Sequence, residues 1–308
     1  MLLMGILFIQ ILIMFAYILG GWLLIKTKLL DREGARQMSK ILLYIITPVV
    51  VINAYTHMPF SKENTLALLI AFLLSAIALL LSIIVSRIVF NKNYKIERFG
   101  TAFSNAGFMG VPLVMAVVGN EGIFYISAFI ALISVLQWTY GVYAITDSKD
   151  LISFKKIMTN PIVISLFTGI AVYVLGGLGF VMPSVILDQM AKLSGILGPL
   201  AMMILGTYVA RLSLKDFIGN TSVYLSTFFR LVIIPIMTLL IFSFLPKNYE
   251  TIALVILIVS SAPVGINTAI FAELYQIDNK RAVVSVGFST LLSIFSMPLI
   301  VLLSTIFW

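Results

Sequence analysis

The feature that most constrains this chain is a series of apolar runs, each long enough to cross a lipid bilayer and separated from the next by a short polar cluster. With 61% hydrophobic and only 10% charged residues, the composition is far from that of a water-soluble globular protein. We therefore predict an all-α integral membrane protein. The ten predicted spans are 4–26, 38–56, 64–90, 98–118, 121–146, 160–180, 184–212, 219–245, 250–275 and 280–306.

The basic residues orient these spans. Sixteen of the 20 Lys and Arg residues lie in the loops after the odd-numbered spans, whereas the other loops hold only Lys62 and Lys247. The positive-inside rule then predicts cytoplasmic basic loops, with both termini extracytoplasmic. We expect a multi-pass protein of the plasma membrane, surrounded by the lipid bilayer. The net charge of +8 is spread over short loop clusters, so nucleic acid is not predicted as a partner.

The chain lacks the residues that several other classes of protein need for their function. The chain has no cysteine and a single histidine, His57, without neighbouring metal ligands, so neither a metal site nor a cofactor is predicted. No Asp or Glu lies in the middle of a predicted span, which argues against a proton or sodium antiporter that uses a midplane carboxylate. An intramembrane enzyme would need a nucleophile with its base, paired aspartates or a zinc motif. A channel is also disfavoured, because no ring of pore-lining side chains is evident.

The prolines indicate an internal repeat. Pro48 and Pro199 lie 151 residues apart in the second and seventh spans, and Pro112 and Pro263 lie 151 apart in the fourth and ninth. Since each half holds five spans, an odd number, the second half must be inverted in the membrane. Inverted repeats with paired broken helices are typical of secondary transporters. The predicted units are a first five-helix repeat at 1–146, a short cytoplasmic connector at 147–159 and a second repeat at 160–308.

The fourth and ninth spans contain helix-breaking clusters near their middles, "NAGFMGVP" and "SSAPVGIN". Hydrocarbon cannot satisfy the backbone groups that a break exposes, so the breaks must be buried in protein or face water. We expect a half-helix to begin past Pro112 and another past Pro263, with their N-terminal amides at the midplane. Two such ends arriving from opposite faces favour a small anion. The alternative is a pair of plain kinks that help packing.

Asn105 and Asn267 flank these clusters and offer amide donors for a carboxylate. Either amide could instead satisfy the broken backbone. Gly107, Gly110 and Gly265 would let the backbone approach a substrate or simply allow close helix packing.

Two further polar residues lie deep in predicted spans. Arg230 in "STFFRLVIIP" is a buried charge whose natural partner is an anion or a set of carbonyl oxygens. Gln137 in the fifth span is a candidate substrate contact or part of an interhelical hydrogen bond.

The segments "NAGFMGVPLVMAVVG" and "SAPVGINTAIFAELY" resemble the fourth and ninth helices of the auxin efflux carrier family, which includes plant auxin exporters and bacterial malate or malonate permeases. The resemblance implies two inverted five-helix repeats with crossover helices 4 and 9. It also implies a scaffold of helices 1, 2, 6 and 7, a mobile transport domain of helices 3–5 and 8–10, and a homodimer through the scaffold. Asn105 would contact substrate. Unlike the plant exporters, this chain has only "TDSKDLISFKKIMTN" between its halves.

The resulting hypothesis is a secondary active transporter that moves a small organic anion by an elevator-type mechanism. The substrate would be a carboxylate such as malate, malonate or an auxin-like acid, with Pro112 and Pro263 at the site. The coupling ion, proton or sodium, stays open; Glu273 or the substrate's own carboxyl would carry a proton. The alternative is a sodium-coupled bile-acid-type symporter, whose sodium would bind the hydroxyls of Ser104, Ser260, Ser261 and Thr268.

Overall fold

The computed structural model describes residues 2–308, and the side chains of all of these except 2–8, 11 and 214. Residue 1, the first of the predicted repeat 1–146, lies outside the described residues. The chain is 81% helical, and its described part contains no β-strand. The helices are α1 (Leu2–Lys26), α2 (Arg32–Ile41), α3 (Thr47–His57), α4 (Lys62–Val89), α5 (Lys95–Ala102), α6 (Val111–Val117), α7 (Asn120–Leu136), α8 (Val142–Thr146), α9 (Phe154–Met158), α10 (Pro161–Gly177), α11 (Ser184–Val209), α12 (Thr221–Phe228), α13 (Ile234–Phe242), α14 (Glu250–Ser260), α15 (Asn267–Leu274) and α16 (Asn279–Phe307).

Several of these helices are long and apolar enough to cross a membrane. Within the described residues, six continuous helical segments meet both conditions: Arg32–His57, Lys62–Val89, Asn120–Thr146, Ser184–Val209, Thr221–Phe242 and Asn279–Phe307. The predicted all-α membrane protein is therefore confirmed. The count of ten spans and their arrangement as two inverted repeats stay predictions.

The prolines act differently from the prediction. Helical turns of π type at 42–46, 106–110 and 229–233 each end two residues before a proline, at Pro48, Pro112 and Pro235. A proline lacks the amide hydrogen and clashes with the carbonyl four residues earlier, and the wider π turn accommodates both defects without ending the helix. Pro199 lies inside the unbroken α11. The chain leaves the helix instead at 103–105 and 261–266.

The helices pack in two groups. In the first, α1 lies along α11, and α3 lies between α10 and α11. The backbones of α1 and α11 are in contact at Gly21 and Gly206. A Cβ at either position would collide with a carbonyl oxygen of the facing helix, so the contact requires glycine there. In the second group, α4, α7, α13 and α16 surround α14, and α5 and α12 pack beside α16. The interrupted helices α5–α6 and α14–α15 belong to this second group.

Candidate functional site

The two interruptions cross each other. Ser104 and Val264 form an antiparallel bridge, with the Asn105 amide donating to the Pro263 carbonyl at 2.7 Å and the Gly265 amide donating to the Phe103 carbonyl at 3.0 Å. A Cβ on Gly265 would lie 2.9 Å from the Ser104 carbonyl oxygen, so the close crossing requires glycine there. The structure thus brings together the two clusters that the sequence marks as broken, and backbone pairs satisfy part of their polar groups.

The first half-helix after the crossing begins earlier than predicted. It starts at Ala106, directly after Asn105, and continues through the π turn into α6, so Pro112 lies one turn and a half inside it. The expectation that this half-helix begins past Pro112 is wrong, because the π turn absorbs the proline. The second half-helix begins at Asn267, four residues past Pro263, as expected.

The opening turns of both half-helices present free backbone donors. Among the described residues, the amides of Ala106, Gly107 and Phe108 find no hydrogen-bond acceptor, and neither do those of Ile266 and Asn267. Unpaired amides are expected in the first turn of a helix. Here the two first turns face a common space, so two positive helix ends converge on it.

That space is a crossover cavity of about 50 Å³. No ionisable side chain among the described residues lines it. Its lining residues are Leu43, Thr47, Ser104, Asn105, Ala106, Gly107, Phe108, Ile130, Ile133, Ser134, Gln137, Ile162, Gly265, Ile266 and Asn267. A small polar group would therefore meet neutral donors on one side and aliphatic side chains on the other.

Asn105 is the most informative side chain of this cavity. It is only 3% exposed, yet its Nδ2 group has no partner among the described residues, and the same holds for the buried hydroxyl of Ser104. The broken backbone is bridged by main-chain groups, including the Asn105 carbonyl, which accepts from the amides of Met109 and Gly110. The Asn105 side chain therefore does not satisfy the break, and its donor is free for a ligand.

Gln137 and Asn267 are brought together on the wall of the same cavity. Asn267 Nδ2 donates to Gln137 Oε1 at 2.7 Å. This hydrogen bond links α15 to a further π turn, Gln137–Gly141, which follows α7, and it orients both amides. It leaves the Gln137 Nε2 group as a further donor without a partner in the described part of the chain.

Four predicted site residues do not line this cavity. Pro263 lies at the crossing itself, where its carbonyl accepts from the Asn105 amide. Pro112 packs beside Gly198 of α11, and Gly110 faces Val259 of α14, where a Cβ would come within 2.7 Å of a methyl group. Gly110 therefore serves helix packing. Gly107, by contrast, has open space where its Cβ would lie and borders the cavity.

Arg230 is the fourth of these residues. It is 1% exposed, and it lines neither the crossover cavity nor the wider one next to it. Its Nη1 donates to the Thr101 carbonyl at 3.1 Å and its Nη2 donates to the Ser260 carbonyl. The sequence left two partners open for this charge, an anion or a set of carbonyl oxygens, and the structure shows carbonyl oxygens. Arg230 therefore corresponds to the carbonyl alternative, and the structure does not place it beside the crossover cavity.

A wider cavity of about 660 Å³ adjoins the first and shares Leu43, Ser134, Gln137, Ile162 and Asn267 with it. We call it the basic vestibule, because four basic side chains and two acidic ones line it. They are Arg32, Arg36, Lys40, Arg211, Glu33 and Glu273. Arg32 pairs with Glu273 at 3.3 Å and Arg36 with Glu33 at 3.7 Å, which leaves a net positive vestibule.

Sequence reasoning missed Ser134, which lines both cavities. It precedes Gln137 by three residues, and this spacing on a helix places both side chains on one face. It also missed Glu97, which is 1% exposed and pairs with Arg281 Nε at 2.7 Å while accepting from Ser222 Oγ at 2.6 Å. This cluster ties together α5, α12 and α16.

A second polar cluster lies close to the first, at the start of α16. Lys280 Nζ lies 2.8 Å from Asp216 Oδ1. The hydrogen bond from Lys280, with further ones from Ser213, lowers the pKa of Asp216 to about 2. This pair therefore stays ionised throughout the neutral range.

The hydroxyls considered for sodium do not form one set. Ser260 and Ser261 donate to carbonyls of their own helix, at 3.0 and 2.9 Å, while Ser104 and Thr268 have no partner among the described residues. Within the same residues no three acidic or histidine side chains gather in a metal-binding cluster.

The chain is similar to known membrane transport proteins. The sequence profile of a family described as "Membrane transport protein" matches residues 6–152 and 149–301. A curated protein of Methanocaldococcus jannaschii, named an uncharacterized transporter, is 25% identical over 303 residues. The aligned region covers 92% of this chain and 94% of that relative.

Proposed function

The chain belongs to the auxin efflux carrier family of membrane transport proteins, and on this premise we propose that it is a secondary active carrier of a small organic anion. It is a multi-pass membrane transporter and not an enzyme. The proposed substrate is a carboxylate such as malate, malonate or an auxin-like acid. The proposed location is the plasma membrane, with both termini extracytoplasmic.

Among the described residues, the observation that carries this proposal is the set of hydrogen-bond donors without partners around the crossover cavity, which no acidic side chain lines. Five free backbone amides, the Nδ2 group of Asn105 and the Nε2 group of Gln137 surround a space without an acidic side chain. A carboxylate would accept several of these donors at once, and hydrogen bonds to a charged group stabilise by about 1.5–3 kcal/mol each. A cation would meet no carboxylate of the described residues there and would face two positive helix ends.

The two helix groups support an elevator mechanism. The cavity lies between them: Leu43, Thr47 and Ile162 come from the α1–α3, α10 and α11 group, and the free donors come from the other. We assign the first group to a fixed scaffold, with a homodimer through it, and the second to a mobile transport domain. Because the basic vestibule is lined by residues of loops predicted to be cytoplasmic, we assign this conformation to the inward-facing state.

The experiment that tests the function is a current recording on proteoliposomes after rapid addition of malate, malonate, short monocarboxylates or indole-3-acetate. Each acid is tested with and without sodium. The purified Asn105→Ala variant removes the free amide donor, and Arg87→Ala, at the exposed end of α4, serves as a matched surface control.

We expect a current that is specific to one class of carboxylate, retained in Arg87→Ala and strongly reduced in Asn105→Ala. A current that strictly requires sodium would assign sodium as the coupling ion, as in the alternative of a sodium-coupled bile-acid-type symporter. Silence with every acid, confirmed by tracer flux on folded protein, would contradict an organic-anion carrier.

A further inference from the structure

Arg230 lies where the first halves of both crossover helices end. Its two terminal nitrogens donate to Thr101, in the last turn of α5, and to Ser260, the last residue of α14. The last carbonyls of any helix lack intrahelical partners, and inside a membrane protein they need another donor. One guanidinium thus serves two helix ends that come from different parts of the chain.

The charge balance of this arrangement is unusual for a buried arginine. No carboxylate lies within ion-pair distance of Arg230 among the described side chains, and the guanidinium is removed from solvent. Each helix C-terminus carries roughly half of a negative charge, so two of them balance about one positive charge. The counter-charge of Arg230 is therefore the pair of helix dipoles.

The surroundings hold the guanidinium in this position. A π turn at 229–233 carries Arg230, and one turn earlier Ser226 Oγ lies 2.9 Å from Thr101 Oγ1, which fixes α12 against the end of α5. The Nε group of Arg230 has no partner in the described part of the chain. Only the two carbonyl contacts hold the cationic end, and these are the contacts that a free cation would also make.

We propose that the ends of α5 and α14 form a site for one monovalent cation, and that the guanidinium of Arg230 fills it as a tethered, permanently bound cation. The crossover then needs no dissolved cation at these carbonyls, because the protein supplies one. The positive ends of the opposite half-helices remain free to act on an anion in the cavity. This inference goes beyond the proposed function, since the cation site does not depend on which substrate is carried.

The test is chemical rescue, read as thermal stability of purified protein in detergent. The Arg230→Ala variant vacates the site, and guanidinium chloride at low millimolar concentration is added as the free cation. Sodium chloride is tested as a second free cation, and tetramethylammonium chloride at equal ionic strength is the salt control. Wild type and the exposed Arg87→Ala variant are the protein controls.

We expect guanidinium to raise the melting temperature of Arg230→Ala by a few degrees in a saturable manner, and to leave wild type and Arg87→Ala unchanged or slightly lower. Tetramethylammonium, too large and without donors, should have no such effect. A folded Arg230→Ala variant that gains no stability from guanidinium or sodium would overturn the proposal. The readout needs no transport, so it is independent of whether an anion is carried.

If Arg230→Ala yields no folded protein, Arg230→Lys and Arg230→Met decide the question. Lysine keeps the charge, and methionine fills similar space without it. We expect folded protein from Arg230→Lys and a much lower yield from Arg230→Met. Equal yields of the two would show that the helix ends do not require a cation.

Discussion

At the scale of single residues, the candidate site is marked by buried polar groups that have no partner among the described residues. Most buried polar groups in proteins are hydrogen-bonded, so each exception calls for an explanation. Asn105 borders the crossover cavity and its buried Nδ2 group has no partner among the described residues; Ala106, Gly107 and Phe108, whose backbone amides are unpaired, border it too. A bound anion would satisfy all of these groups with one ligand.

The Asn105→Ala substitution should separate binding from stability. It removes one charge-assisted hydrogen bond, which corresponds to about a 10- to 100-fold weaker binding of the substrate. The melting temperature should change little, because the Asn105 side chain forms no hydrogen bond within the described protein. Ligand-induced thermal shifts on both proteins measure the two effects. A large loss of stability without ligand would contradict the assignment.

Arg230 shows how far sequence reasoning reaches at this scale. A charge deep in an apolar run predicts a buried ion with a functional or structural partner. The partner itself is set by tertiary structure: the two carbonyls lie 129 and 30 residues away along the chain. No local pattern distinguishes carbonyl oxygens from a substrate, so the sequence predicts the burial of Arg230 and leaves both partners open.

At the scale of elements, the two interrupted helices define the site. The sequence identified both interruptions from their Gly, Ser, Pro and Asn clusters, and the second lies at Pro263 as expected. The first lies at 103–105, before the predicted position, because a π turn accommodates Pro112 and because Ser104 pairs with Val264. That pairing joins residues from opposite halves of the chain, which a single sequence does not reveal.

Two glycines of the same turn should respond in opposite ways to alanine. Gly107→Ala places a methyl group in open space beside the cavity, so we expect unchanged or slightly higher stability and reduced transport. Gly110→Ala forces a methyl group to 2.7 Å from Val259, which should destabilise the protein by about 1–3 kcal/mol. Melting temperature and substrate-induced current, recorded on both variants, test the contrast.

The opposite pattern, with Gly107→Ala unstable and Gly110→Ala stable, would show that the first turn after Asn105 is placed differently. Equal transport by Gly107→Ala and wild type would show instead that this turn does not border the substrate.

At the scale of the whole molecule, the site lies between two packed groups of helices. Of the ion pairs among the described residues, Arg32–Glu273 joins the two groups, from the start of α2 to the last turn of α15, at 3.3 Å. The other pairs lie within one group or its adjoining loops. If the groups move as scaffold and transport domain, this pair must break in each transport cycle.

Breaking the pair should shift the conformational equilibrium without unfolding the protein. Both side chains are exposed, and exposed pairs contribute about 0–1 kcal/mol, so Glu273→Gln should lower the ratio of inward- to outward-facing molecules by up to about fivefold. The chain has no cysteine, so a single one introduced at Ile270, which lines the vestibule, reports its accessibility by labelling rate.

The charge-swapped double variant, Arg32→Glu with Glu273→Arg, is the matched control and should restore the wild-type labelling rate. The effect should also fade at high ionic strength, since salt screens exposed charges. Labelling that is the same in wild type and Glu273→Gln at low salt would contradict a role for this pair in the conformational equilibrium.

The most direct test of the central claim, that the crossover cavity binds an anionic group through neutral donors, is the binding affinity of the Asn105→Asp variant. Aspartate has the shape of asparagine but replaces a donor with a negative charge. We predict folded protein whose affinity for the transported carboxylate at neutral pH is lower than that of wild type by about 100-fold or more, a larger loss than in Asn105→Ala. Unchanged or tighter binding by Asn105→Asp, measured calorimetrically on the folded variant, would contradict the claim.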